Sequence, residues 1–220
     1  ASDLGPVVPP ADYGLGPILD VHSSAYLTYL RTAFRSYADY LGTPRPVMSS
    51  RDKVDPQRAA QRPSGFPALI DYYTYDYEDP LLEGTWEAVT WSAQVSMTAA
   101  AMVSEGRRAV YALCRPPGHH AERDRYGGFC YLNNAAIAAR WLARRGRVAV
   151  LDVDYHHGNG TQSIFYRDPD VCTVSIHVDP AVDYPYYWGY REEIGEGPGE
   201  GTNVNLPLPV GVRDRDYLVA

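Results

Sequence analysis

Val148-Ala149-Val150-Leu151-Asp152-Val153-Asp154-Tyr155-His156-His157-Gly158-Asn159-Gly160-Thr161 is an apolar run that ends in acids and imidazoles. In an extended strand alternate side chains share a face, so the spacing predicts that Asp152, Asp154 and His156 project to one side at the strand's end. Carboxylates in an otherwise apolar strand are costly to bury unless they are paired, hydrogen-bonded or bound to a cation. Carboxylate oxygen and imidazole nitrogen suit a divalent metal such as zinc, and two protein ligands leave room for a third and a water. An Asp that caps the next helix is the plainer reading. It explains one Asp, not three polar residues in register.

Outward from this stretch the chain alternates. Residues 160–166 can make a short helix, and Val171 to His177 reads as a second buried strand. Upstream, Asn134 to Arg145 reads as a helix closed by Gly146, and Ala109 to Cys114 as a buried strand. Arg115-Pro116-Pro117-Gly118-His119-His120 ends that strand abruptly, because proline cannot continue a ladder and Gly118 permits unusual dihedrals. Strands alternating with helices predict an α/β fold, a parallel sheet with helices on both faces. In such sheets sites form beyond the carboxyl ends of the strands, where His119, His120, Asp154, His156 and His177 are expected to fall. His22 and His177, each alone, read as structural histidines.

The remaining segments are simpler. Residues 1–20, rich in Pro and Gly, read as a surface segment. Helical spacing runs from His22 to Leu41, with Gly42 as the stop. A second helix is expected over Trp86–Glu105, with Thr85 as N-cap, Gly106 past its end, and Trp91, Val95, Ala99 and Met102 on one face. Between them, residues 43–84 read as a long connection containing a mixed-charge patch around Arg51 to Arg62 and the tyrosine-rich, acidic Asp71 to Pro80.

The 220 residues fit one domain, and 20 Lys plus Arg against 27 Asp plus Glu leave no basic stripe for nucleic acid. Cys114, Cys130 and Cys172 form no C-x-x-C pair, which favours a reducing compartment. There is no long apolar span and no signal-peptide pattern at the start, so a soluble cytoplasmic protein is expected, with no membrane partner.

Arg115 to His120, Gly127-Gly128-Phe129-Cys130-Tyr131-Leu132-Asn133-Asn134 and Leu151 to Thr161 together resemble the signature segments of the zinc-dependent deacetylase superfamily, which includes histone deacetylases. Gly195 to Gly201 after Asp183-Tyr184-Pro185, and the Gly84-Thr85-Trp86 helix start, are most similar to bacterial acetylpolyamine amidohydrolases. The resemblance runs from about His22 to the end.

That resemblance implies an arginase/deacetylase fold over residues 1–220. It implies zinc held by Asp154 and His156, with His119 and His120 catalytic, His119 paired with Asp152 and His120 with Asn159. Gly128, Phe129 and Tyr184 are expected to bind substrate along a narrow acyl-amine channel. A structural potassium ion is expected near Asp152, Asp154 and Ser175. The family's third metal ligand, an Asp, and its carbonyl-polarising Tyr come from loops beyond Tyr217-Leu218-Val219-Ala220, so the chain reads as a truncated fragment of a longer catalytic domain. The expected substrate is a small acetylated amine such as an acetylpolyamine, drawn by Asp71, Asp76, Glu78 and Asp79 at the channel rim, and the expected assembly is a homodimer. Acetyl-lysine in proteins, a non-catalytic acetyl-ligand-binding role and a manganese ureohydrolase are the alternatives.

Overall fold

Three parallel strands, β1 (Val148–Asp152), β2 (Val171–Val178) and β3 (Asn203–Leu208), lie side by side in that order. β-Branched residues dominate β2 and alternate along β1 at Val148 and Val150, as a pleated, half-buried surface favours. The register sets Asp152 opposite Ser175 and His177 opposite Pro207. His177 therefore lies within β2 rather than beyond a strand end, a correction to its expected place. The computed structural model describes residues 5–49 and 62–219. The charge patch read from Arg51 onward lies, Arg62 apart, outside them.

The sequence reading missed β3, because Asn and Pro are poor strand formers. The Nδ2 groups of the buried Asn203 and Asn205 find a partner there: both donate to Gln162 Oε1, at 3.0 and 2.9 Å. Pro207 lacks a ladder donor, and β3 has β2 as its one partner among the described residues, the edge position that proline tolerates.

Helices α5 (Asn134–Ala143) and α6 (Asn159–Phe165) pack on β1 and β2, and α4 (Thr85–Ser104) packs on α5. Asn133 caps α5, its side chain accepting from the Ala136 N–H. Helix α2 (Ser24–Leu41) starts at Ser23, whose side chain accepts from the Tyr26 N–H, and stops at Gly42 with φ +70°. Its face of Tyr26, Leu27, Tyr29, Leu30 and Ala33 enters the core.

Five expectations need correction. Helix α4 begins at Thr85 with Gly84 as its cap, and the Thr85 hydroxyl accepts instead from the Leu82 N–H. Its buried face is Val89, Ala93, Met97 and Ala100; Trp91 is exposed, because a helix with small residues all round can bury either stripe and packing decides which. Residues 109–114 join no ladder; Tyr111 is 83% and Leu113 68% exposed, since no neighbouring strand among the described residues supplies their hydrogen bonds. The long connection contains α3 (Ala68–Tyr73), and the surface segment contains α1 (Gly16–Leu19) with Ile18 fully buried. A four-residue helix, α7 (Asp214–Tyr217), lies near the end.

Candidate active site

Beyond β1 the backbone does not remain extended. Asp152 Oδ1 accepts from the Asp154 N–H at 3.0 Å, and Asp154 Oδ1 accepts from the His156 N–H at 2.8 Å. Two successive carboxylate–amide turns, rather than the pleat, therefore present Asp154 and His156. Asp154 is exposed and His156 half-buried, whereas Asp152 is mostly buried. Asp154 Oδ1 stands 3.7 Å from His156 Nδ1 and 4.0 Å from His119 Nε2.

The 115–120 loop is anchored on α4 and α5. Pro116 O accepts from Ser92 Oγ at 2.8 Å and from Asn134 Nδ2 at 3.1 Å. A Cβ at Gly118 would stand 2.5 Å from the Asn134 backbone nitrogen, so only glycine lets the loop lie this close to α5. His119 and His120 follow with their ring centres 4.0 Å apart.

Their surroundings separate them. His119 Nδ1 lies 2.8 Å from Asp152 Oδ2. Burial opposes its cation, but the hydrogen bond and the charges of Asp152 and Asp154 outweigh it and raise the imidazole pKa. Asp152 is also buried, yet is held below the usual carboxylate range by the same partner. His120 Nδ1 lies 2.7 Å from Asn159 Oδ1 on α6. Burial, then the charge of His119, pushes His120 down to about 3, and the hydrogen bond to the neutral Asn159 amide offsets this only in part.

The opposite wall is the Gly128–Phe129 turn, where both residues have positive φ, +56° and +63°. Two acids hold it: the Gly128 N–H donates to Asp76 Oδ2 at 2.7 Å and the Phe129 N–H to Asp79 Oδ1 at 2.5 Å. The Tyr184 hydroxyl also donates to Asp76 Oδ2, at 3.3 Å, and the Tyr184 ring meets His120 edge-on with centres 4.9 Å apart. Burial and Asp76 push Asp79 up to about 8, so within the pair Asp79 is the one that favours its proton. The acidic rim expected from sequence is thereby corrected. Asp79 is 3% exposed, and Asp71 sits buried in α3 with Ser49 Oγ donating to it at 3.0 Å; of the four acids only Glu78 is solvated.

His119, His120, Asp154, His156, Gly128, Phe129, Tyr184, Asp76 and Glu78 line one cleft of about 340 Å³. A larger apolar groove of about 550 Å³ opens behind Asp154 and His119, between β1 and residues 112–118. Tyr186 and Tyr187 point elsewhere, Tyr187 against Tyr75. His22 and His177 are structural: His22 Nε2 accepts from the Asn133 N–H at 3.0 Å, and His177 Nε2 bonds Gly189 O at 2.9 Å. Ser175 Oγ lies between His157 Nδ1 and His177 Nδ1, at 3.2 and 2.8 Å.

A model of the histone deacetylase domain matches residues 5–220. The chain belongs to the histone deacetylase family. Within this family it is 47% identical over 205 residues to acetylpolyamine amidohydrolase 1 of Pseudomonas aeruginosa, covering 90% of this chain and 58% of that protein. It is 42% identical over 199 residues to the acetylpolyamine amidohydrolase of Mycoplana ramosa, covering 87% and 56%. The crystal structure of an acetylpolyamine aminohydrolase from Burkholderia pseudomallei superposes with TM-score 0.88 at 46% identity, covering 97% of this chain and 62% of that one. The chain thus spans little more than half the length of these curated relatives. The deacetylase fold expected from sequence is the fold observed. Asp76 and Asp79, expected at a substrate-attracting rim, instead anchor the Gly128–Phe129 turn, and Glu122, which accepts from Asn159 Nδ2 at 3.3 Å, had no expected role.

Proposed function

We propose that the complete protein is a zinc-dependent amidohydrolase that removes acetyl groups from acetylated polyamines or similar small cationic amines. The observation carrying this reading is the single cleft in which two imidazoles of opposite bias, His119 and His120, face the carboxylate–imidazole pair Asp154 and His156. The names of the relatives support the substrate class.

Asp154 and His156 fit a zinc ion in donor type and mutual reach, and they would hold it. Among the described residues no group of three His, Cys, Asp or Glu side chains closes round one point, so these two are a partial ligand set. Zinc, when bound, acts as a Lewis acid that acidifies water and polarises an amide carbonyl. His120, kept neutral, accepts the proton of the attacking water. His119, its cation stabilised by Asp152, gives a proton to the departing amine. A C–O bond forms, the C–N bond breaks, and acetate and a free amine result. Phe129 and Tyr184 flank the acyl-amine chain, and Gly128, having no side chain, lets this wall close on His120.

The proposal extends to a potassium ion near Asp152, Asp154 and Ser175, supported by the cross-strand pairing of Asp152 with Ser175. It extends also to a homodimer, supported by the exposed Tyr77 and Leu82 of the 74–84 loop. No helix among the described residues is long and apolar enough to cross a membrane.

Asp154→Ala tests the core of the reading, with zinc content and acetate release measured on the same sample. Loss of both together is expected. A variant retaining stoichiometric zinc would show that Asp154 is not a ligand.

A further inference from the structure

Resting on that reading of His120 as the proton acceptor, we propose that Glu122 is a positioning residue that fixes the tautomer of His120 by orienting the Asn159 amide. An imidazole can accept a proton at Nε2 only if its other nitrogen, Nδ1, carries the hydrogen. A carboxylate beside Nδ1 would enforce this by itself, because it is acceptor-only when ionised. Asn159 does not, since its amide presents oxygen on one side and NH₂ on the other. Turned one way, the oxygen receives Nδ1–H and Nε2 keeps its lone pair. Turned the other way, the NH₂ donates to Nδ1, the hydrogen moves to Nε2, and the base is blocked.

Glu122 breaks this ambiguity. Its Oε1 lies 3.3 Å from the Asn159 end that must therefore be Nδ2, while the other end lies 2.7 Å from His120 Nδ1. Oε1 accepts whether or not the second carboxyl oxygen is protonated, so the upward push that burial exerts on Glu122 does not undo the orientation. Asn159 is fully buried and His120 4% exposed, so water is poorly placed to substitute for either bond. The His120 backbone is pinned as well, its carbonyl accepting from the Tyr75 hydroxyl at 2.8 Å. The chain is thus a three-member relay in which each donor is dictated by the acceptor beyond it: Glu122, Asn159, His120.

The test needs neither metal nor substrate, so its failure is separable from failure of the deacetylase reading. Long-range ¹⁵N–¹H spectra of the ¹⁵N-histidine-labelled protein report which ring nitrogen is protonated, with the His120 signals identified by their loss in His120→Ala. The wild type should show hydrogen on Nδ1 and a bare Nε2; a wild type protonated at Nε2 overturns the proposal without any variant. Glu122→Met should lose the bare-Nε2 signal while the signals of His22, His157 and His177 stay in place. Glu122→Met with Asn159→Asp should restore hydrogen on Nδ1, because a carboxylate has no donor end to turn inward, whereas a merely structural role for Glu122 predicts no such rescue. If Glu122→Met leaves the tautomer unchanged, the amide is oriented by something else, the nearby Tyr75 hydroxyl foremost, and the proposal fails.

Discussion

Gly128→Ala probes how tightly the cleft wall fits His119 and His120. A Cβ at this position would stand 2.7 Å from His120 Cγ and closer still to Cδ2, where ordinary contact begins at 3.4 Å. The imidazole would have to retreat by roughly 1 Å, yet its Nδ1 is held at 2.7 Å by Asn159 and its other face by His119. Overpacking of this kind costs about 1–3 kcal/mol. The φ of +56° adds about 1–2 kcal/mol for a residue with a Cβ. At ~2–4 °C per kcal/mol for a chain of this size, Tm should fall by roughly 4–20 °C. Gly197→Ala is the matched control, because its φ is +57° and nothing lies within 4 Å of its Cβ. It should lose only the dihedral part, roughly 2–8 °C. Displacing a reacting group by ~1 Å costs on the order of 100-fold in rate, so kcat should fall that far in Gly128→Ala and stay unchanged in Gly197→Ala. Calorimetry and acetate release on the two variants decide it. Equal Tm and equal kcat would refute the claim that this wall is packed against His120.

Two further outcomes follow from the same geometry. His120→Ala should lower kcat far more than His119→Ala, since burial leaves His120 as the neutral imidazole; a larger loss in His119→Ala would reverse the two roles. Asp79→Asn should flatten the pH dependence of stability: the folded state keeps a proton that the unfolded chain releases from 3.8 upward, so wild-type stability falls as pH rises from 3.8 to about 8, while the amide of the variant is neutral throughout. Urea midpoints across that window check it, and an equal slope in the variant would show that Asp79 does not carry the proton.

The stretch proposed to hold zinc stood out because acids and imidazoles at the end of an apolar strand are costly to bury without partners. The 115–120 loop was legible because two prolines and a glycine fix a rigid corner that carries both histidines. Local signals also found α2, α5, α6, β1 and β2, whose caps and β-branched runs act within a few residues. What was missed depends on contacts distant in the chain. Asp76 and Asp79 looked like a solvated rim, since their partners, the backbone N–H groups of Gly128 and Phe129, lie 52 and 50 residues away. Strand β3 was hidden by asparagines whose Nδ2 groups donate to Gln162, 41 and 43 residues back. The extended register expected for Asp152, Asp154 and His156 gives way to two side-chain-to-backbone turns, which compete with the extended strand where Asp follows Asp at two residues.

The central claim is that this cleft hydrolyses the acetyl-amide of a slim cation, and the most direct measurement is kcat/KM for acetate release by the complete, zinc-loaded protein. Acetylputrescine, acetylcadaverine and acetylspermidine should each be preferred over an acetyl-lysine peptide. The preference should weaken at high salt, because the solvated Glu78 at the cleft is screened. A peptide turned over better than every acetylated polyamine, with no response to salt, would contradict the account.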